Sequence, residues 1–448
     1  MSTRRPNIIW IFGDQHRAQA CGYAGDPNAH TPTLDALAGQ GLSFSNAVAG
    51  CPWCTPFRGA LLTSRYVHQT VQRTPQRLDP SLPTVADAFN QAGYHTYYLG
   101  KWHLDGNRAN DSGVDSRVSI VPSERRGRFQ RWEGFENSNH HFRSVLHGGE
   151  GAAAWQEQLP GYETDCLTDR LLNYLDERAQ TPDDPFFAIC SITPPHDPYV
   201  APREYMQRYT PGQMQLRPNV PPIPRIQEQA QRQLAGYYAA IENLDYNVGR
   251  VWDRLAELKL QEDTYVFFFA DHGDMHGSHG HWHKSSPWEE SIRIPCVVAG
   301  GRLSINTSRR SDAPINHVDY APTSLGLCGI PVPTSMAGTD FSAHIHNRND
   351  GTQPARDAEP SSAYIQQCVR KNFGGCNDRT WRGIRTRDGW KYVCLEGQPL
   401  LMVNLNEDPY ELENLAYRPE AKAKRAELSA ELQAWIERTD DSFVLPEI

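Results

Sequence analysis

The sequence contains no apolar run that could cross a bilayer: the longest, residues 8–12 and 266–270, fall far short of the roughly 20 residues that a membrane helix needs. No membrane partner is expected. A signal-peptide core is also missing, because Met1-Ser-Thr-Arg-Arg-Pro leads into a short apolar stretch ending at Gly13-Asp14, without a small-residue cleavage site. The chain as written reads as cytoplasmic, or as periplasmic or secreted where a leader has been removed. Basic blocks are scarce. Arg125-Arg126-Gly-Arg128 is the densest, and 44 basic against 53 acidic residues give a net charge of −9, which argues against a nucleic-acid partner. Ten cysteines in 448 residues are too sparse for a disulfide framework, and most read as buried fillers. One pair, Cys51-Pro-Trp-Cys54, has the C-x-x-C spacing of a redox dithiol or half a zinc site. No second C-x-x-C or H-x₃₋₅-H follows at zinc-finger spacing, so zinc of that kind is not expected. Internal repeats and low-complexity tracts are absent as well.

What is present is a core: 39% hydrophobic and 10% aromatic residues suffice for one large domain with a small companion. Residues 7–12 form a continuous apolar run that reads as a buried parallel strand, delivering Gly13-Asp14 at its carboxyl end. A short helix is expected over 31–41, with Thr31 as cap and Pro32 at the first position. Residues 82–93 repeat that design before a strand over 94–99. Further buried strands are read at 186–193 and 264–270, separated by a Pro-rich loop and a long helix from about 227 to 258. Another helix runs from about 319 through 327. Apolar strands alternating with amphipathic helices predict an α/β fold built on a large, mostly parallel sheet. Residues 344–360, rich in Asn, Asp, Gly and Pro, read as a linker, which divides the chain into 1–345 and 346–448. Beyond it, strand-like pieces at 381–385, 390–394 and 400–404 and a helix over 419–438 predict a smaller α+β domain with an antiparallel sheet.

The carboxyl ends of open α/β sheets are where ligands bind, and here those ends carry Asp14-Gln15, Lys101-Trp-His103, Pro195-His196 and Asp271-His272. Oxygen donors from separate strand ends suit a hard divalent cation, and imidazole extends the choice toward transition metals.

Cys54-Thr-Pro-Phe-Arg58, followed by Leu62, Thr63 and Arg65, resembles the C-x-P-x-R…L-T-G-R signature of the type I sulfatases, in the alkaline phosphatase superfamily. Gly100-Lys-Trp-His103, Pro194-Pro-His196, the segment 271–280, Lys284 with Trp288-Glu-Glu-Ser-Ile-Arg-Ile-Pro295, and Asp408-Pro-Tyr-Glu-Leu-Glu-Asn414 resemble the family's later motifs in the same order. The resemblance spans essentially the whole chain. It implies an alkaline phosphatase-like fold and a sulfuric ester hydrolase whose Cys54 is oxidised to formylglycine by a formylglycine-generating enzyme. By the same resemblance Asp14, Gln15, Asp271 and His272 bind a divalent cation together with modified Cys54. The cation is usually calcium, and Gln15 and His272, standing where many relatives have Asp and Asn, admit manganese or zinc. In the family scheme one hydroxyl of the hydrated aldehyde attacks sulfur and expels the alcohol, and collapse through the other releases sulfate. Arg58 and Lys101 then hold the diol, His103 is the base for the collapse, and His196 and Lys284 bind sulfate and assist the leaving oxygen. His281, His283 and His141, with His140 and Arg143, are expected to line the substrate pocket. Phe57 is expected to narrow its mouth or to alter recognition by the maturing enzyme, and Ser64, where Gly is usual, to strain the helix after the nucleophile. The expected substrate is a sulfated small molecule or oligosaccharide. Two alternatives stay open: a phosphonate monoester or phosphodiester hydrolase of the same superfamily, and a redox or binding protein using Cys51/Cys54.

Overall fold

The structure, a computed structural model, describes residues 4–106, 118–301, 303, 309–346, 359–370 and 379–447. Ten strands form one sheet: β1 (Asn7–Asp14), β2 (Leu42–Phe44), β3 (His95–Lys101), β4 (Arg131–Phe135), β5 (Val145–Gly148), β6 (Trp155–Gln158), β7 (Phe186–Pro195), β8 (Thr264–Ala270), β9 (Cys296–Gly300) and β10 (Arg309–Ser311). Their spatial order is β10-β2-β9-β8-β1-β7-β3-β4-β5-β6. The central five, β8, β1, β7, β3 and β4, are mutually parallel, and β9 and β5 pair antiparallel on either side.

β1 is buried along its whole length because helices, the first of them α1 (Pro32–Gln40), cover both sheet faces. Ile8, Trp10 and Phe12 join the core shared with α2 (Cys54–Thr63), α3 (Val85–Gln91) and the helix Tyr320–Leu327. Ile9 and Ile11 face the helices Glu163–Ala179 and Pro224–Glu257 through Leu171, Leu244 and Val248. Polar side chains therefore leave β1 only at its carboxyl end. There the pairing with β7 shifts, from Gly13↔Ile192 to Asp14↔Pro195. Such an irregularity re-aims the side chain that follows it. Gly13 permits the approach, since a Cβ there would stand 3.0 Å from both Leu244 Cδ2 and the Pro194 carbonyl.

The second sheet is antiparallel, in the order β11 (Ser362–Gln367), β12 (Trp381–Thr386), β13 (Trp390–Leu395) and β14 (Gln398–Asn404). Tyr364, Ile384, Tyr392 and Met402 on one face pack with Leu428 and Trp435 of the helix Lys422–Arg438 and with Ala60 and Val67 of the larger body. The opposite face meets Val48 and Ile292. The stretch read as a linker begins inside a short helix, Ser342–His346, and its residues 347–358 lie outside the described ones. No helix among the described residues is long and apolar enough to cross a membrane.

Candidate active site

The carboxyl ends of β1, β3, β7 and β8 converge with the start of α2, bringing all the strand-end clusters read from the sequence into one buried centre. Cys54 opens α2, a helix buried throughout, so its side chain sits where the helix dipole favours an anion. Cys54 Sγ lies 3.1 Å from His272 Nε2, 3.1 Å from Lys284 Nζ and 3.5 Å from Asp14 Oδ1. Burial opposes ionisation of this thiol, yet the charges of Lys284 and Lys101 hold it well below the ordinary thiol range. Residue 54 thus sits where negative charge is stabilised.

Asp14 is the hub. Its Oδ2 accepts from Lys101 Nζ at 2.7 Å and Arg58 Nη2 at 3.1 Å, and Arg58 also reaches Asp271 Oδ2 at 3.3 Å. Arg58 is fixed by donating to Ser191 Oγ (2.6 Å) and the Lys101 carbonyl (2.8 Å), with its guanidinium 5.2 Å from the Phe12 ring centre. Asp14 is held below the carboxylate range although burial opposes this, chiefly by Lys101, His196 and Lys284. Asp271 moves the other way, up to about 6, through burial and the nearby Asp14 charge.

Asp14, Cys54, Asp271 and His272 offer ligand atoms within 4.8 Å of one another, all buried. His272 Nδ1 lies 3.0 Å from the Gly273 carbonyl, which fixes the proton on Nδ1 and leaves the Nε2 lone pair aimed inward. That lone pair stands 3.5 Å from Asp14 Oδ1 and 3.5 Å from Asp271 Oδ1. These buried ligand atoms could hold a cation among them, and the donor set fits a divalent one. Gln15, at φ +69°, directs Oε1 to Lys284 Nζ (2.8 Å), while its Nε2 donates to Asp274 Oδ2 (2.6 Å). Its amide oxygen is therefore presented on the side of the cluster.

Lys284 Nζ also lies 2.9 Å from His196 Nε2, so these two polar groups flank Cys54 together. His103 hydrogen-bonds Cys54, and burial lowers its pKa to about 4. The residues expected to line a pocket divide. His281 and His283 are half-buried beside Lys284, and His283 Nδ1 lies 3.6 Å from Asp197 Oδ1. His140 and Arg143 are exposed. His141 departs from the expectation: it is only 2% exposed and its Nε2 lies 2.8 Å from the His196 carbonyl, so it supports that loop from within. Phe57 likewise does not narrow a mouth, being wholly buried 4.8 Å from the His317 ring. Sequence reading missed Ser191, Tyr199 and Asp274. Asp274 stood in the segment 271–280 and could have been found there, whereas Ser191 and Tyr199 carry no sequence mark.

The model of the Sulfatase family matches residues 6–330, and that of the N-sulphoglucosamine sulphohydrolase C-terminal region matches 277–438. An ulvan-active sulfatase of Formosa agariphila is 34% identical over 445 residues, covering 98% of this chain and 82% of that protein. An endo-4-O-sulfatase of Bacteroides thetaiotaomicron is 27% identical over 99% of this chain and 94% of its own. Among solved structures, a putative sulfatase of Bacteroides fragilis superposes with a TM-score of 0.86 at 25% identity, over 99% and 98% of the two chains. A phosphonate monoester hydrolase of Agrobacterium radiobacter shares the fold, with a TM-score of 0.77 at 21% identity over 97% and 96%. With the family model covering most of the chain and the signature residues gathered around Cys54, this chain belongs to the sulfatase family and is a sulfuric ester hydrolase.

Proposed function

We propose that the chain hydrolyses a sulfate monoester on a carbohydrate, using formylglycine made from Cys54 by a formylglycine-generating enzyme. The reading assigns catalysis to 1–345 and a smaller C-terminal domain to 346–448. Asp14, Gln15, Asp271 and His272 would hold a divalent cation, calcium by family resemblance, which polarises oxygens bound beside residue 54. Hydrated formylglycine supplies a nucleophilic hydroxyl and a second one through which sulfate can be released.

The side chains around residue 54 have separable tasks. Arg58 and Lys101 neutralise Asp14 and offset charge developing at residue 54, in a dry setting where fixed cations act most strongly. His103 is neutral at ordinary pH because burial holds it near 4, so it can accept a proton from residue 54. Lys284 and His196 stand together on the other side of Cys54, placed to bind the sulfate oxygens and to protonate the departing alcohol. Three cationic side chains against two carboxylates leave the centre receptive to an anion even before a metal is counted. A carbohydrate substrate is supported by the relative named an ulvan-active sulfatase.

The observation that carries the reading is the position of Cys54 Sγ, 3.1 Å from both Lys284 Nζ and His272 Nε2, while Cys51 Sγ is directed 4.0 Å from Gln367 Oε1 and no disulfide joins the two. Fragment-ion mass spectrometry of the tryptic peptide 18–58, from protein made with a maturing enzyme, should place an aldehyde at Cys54. An intact Cys54 thiol in an active enzyme would sink the proposal. Rates on a sulfate and a phosphonate ester of one alcohol should favour the sulfate, and the opposite ratio would transfer the chain to phosphonate chemistry.

A further inference from the structure

Beside the reaction centre lies a depression of about 440 Å³ that the chemistry above does not use. Its walls include Arg17, Arg217 and Arg293, with Gln215 and Tyr410. Two of these arginines, Arg17 and Arg293, retain a buried donor without a hydrogen-bond partner. Arg17 is 2% exposed and gives Nη2 to Tyr238 Oη at 3.1 Å, while its buried Nε has no hydrogen-bond partner. Arg293 has an equally orphaned Nε, and its nearest carboxylate oxygen, Glu289 Oε2, is 4.0 Å away. Arg217 commits Nε to Glu290 Oε1 at 2.7 Å and lies over the Tyr410 ring. The one carboxylate in the lining, Asp26, already accepts from the Tyr238 hydroxyl at 2.5 Å and from the Asn28 amide at 2.9 Å.

Buried N–H donors left without acceptors are costly unless a ligand or water completes them. Three guanidinium groups border one opening, partly balanced by Glu290, Glu289 and Asp26, so what the site offers an anion is the unpartnered Nε donors of Arg17 and Arg293 rather than net charge. Planar guanidinium groups match the paired oxygens of sulfate and carboxylate. A smaller depression shares Arg293 and Ala24 and adds Arg310, so the basic lining continues along the protein.

Topology places this lining beside the site. Arg17 follows Gln15 on the turn leaving β1. Arg293 precedes β9, whose antiparallel pairing with β8 puts its start at the carboxyl end of β8. Arg310 lies in β10, which runs parallel to β2, itself antiparallel to β9. The depression therefore lies along the same sheet edge as the reaction centre, displaced toward β9, β2 and β10. We propose that it is a second oxyanion site, which takes a sulfate or carboxylate group on another residue of an acidic oligosaccharide whose reacting sulfate lies at Cys54.

This assignment rests on the carbohydrate reading, and binding rather than turnover separates the two. The test uses the full chain carrying Cys54→Ala, so that no probe is consumed, with calcium present. The probes are a disulfated disaccharide, its monosulfated counterpart and sodium sulfate, titrated at two salt concentrations. Gln215→Glu adds a negative charge at an exposed position of the lining, and Arg293→Gln removes a guanidinium whose Nε makes no hydrogen bond. Both should weaken the disulfated probe roughly tenfold and reduce its salt dependence, with at most a twofold effect on the monosulfated one. Unchanged melting temperatures would show that the variants fold. Unaltered affinity for the disulfated probe in both variants would overturn the site. Weakening of sodium sulfate alone would assign the depression to the free ion and overturn the carbohydrate assignment. If the matured wild type hydrolysed no sulfate ester yet the variants lost the disulfated probe, the proposed activity would fall while the oxyanion site stood.

Discussion

Gln15 can present either end of its amide to the cation cluster, and the choice is made by residues one step removed from it. Asp274, fully buried, accepts from Gln15 Nε2 at 2.6 Å and from the Tyr199 hydroxyl at 2.6 Å. An ionised carboxylate is acceptor-only, so it captures the NH₂ end and leaves Oε1 toward Lys284 and the cluster. Asp274→Leu removes that acceptor and should weaken calcium binding roughly 10–100-fold, whereas Asp274→Asn, which keeps a carbonyl oxygen, should stay within a few-fold. Isothermal titration of the two variants reads this directly, and equal affinities would show that the amide is oriented by something else. At residue 54, the proposed nucleophile, Cys54→Ala should lower kcat/KM on a sulfate ester by ~10³-fold or more. Removal of the divalent cation with EDTA should abolish turnover and its return restore it, measured on the same ester. Activity surviving complete chelation would exclude a role for the Asp14–His272 cluster in the reaction.

At the scale of elements, α2 is an unusual helix because it must end as abruptly as it begins. Ser64 closes it in the left-handed region, φ +51°, where its hydroxyl donates to the Val318 carbonyl at 2.6 Å and accepts from the Gly338 amide at 3.2 Å. The strain expected of a serine at this position is present, and those two bonds offset it. Ser64→Ala keeps the strain and leaves both partners unsatisfied, so it should cost about 1–3 kcal/mol, and Ser64→Gly, which releases the strain, should cost less. Thermal denaturation orders the variants, and an alanine variant as stable as wild type would refute the compensation. The sequence made elements of this kind legible in proportion to how local their causes are. β1, β7 and β8 announce themselves as continuous apolar runs because both faces of the sheet are covered. The helix Glu163–Ala179 went unread although Leu167, Leu171 and Leu175 recur at helical spacing, so that signal was available. β6 and β10 were not legible, since their mostly polar residues are strands only through pairing with β5 and β2. The site divides in the same way. Residues at strand ends and in motifs could be named, whereas Ser191, set within the apolar run of β7, and Tyr199, in a loop, become functional partners only once the chain has folded.

For the molecule as a whole, the two sheets are joined by buried charge, and this gives stability a pH dependence at both ends. Glu289, from the body that holds the site, meets Arg385 Nε at 3.2 Å and Lys391 Nζ at 3.3 Å on β12 and β13. Glu290 beside it meets Arg217 and Asn219 Nδ2 at 2.7 and 2.8 Å. Burial alone would raise both carboxyls, but these partners lower them from 4.5 to about 2. A lowered carboxyl contributes stability that is fully present above pH 4.5 and is lost as pH falls toward 2, roughly 3 kcal/mol for Glu290. Two other buried acids act in the opposite sense. Burial raises Asp319 from 3.8 to about 7, and burial with the charges of Glu289 and Glu290 raises Glu411 from 4.5 to about 7 despite Lys391. Their contribution is full below the ordinary carboxyl range and disappears as pH rises through 7, because the folded state must then hold the charge inside. The melting temperature, measured with EDTA present so that cation binding does not contribute, should therefore peak near pH 4.5, falling toward pH 2 on one side and from pH 4.5 to 7 on the other. Glu290→Gln should melt lower than wild type at pH 6 and lose less on going to pH 3, while Asp319→Asn should flatten the decline between pH 4.5 and 7. A wild-type profile level from pH 3 to 4.5 would show that the Glu289–Glu290 pairings contribute no net stability, with the cost of burying their charges equal to the attraction of Arg385, Lys391 and Arg217.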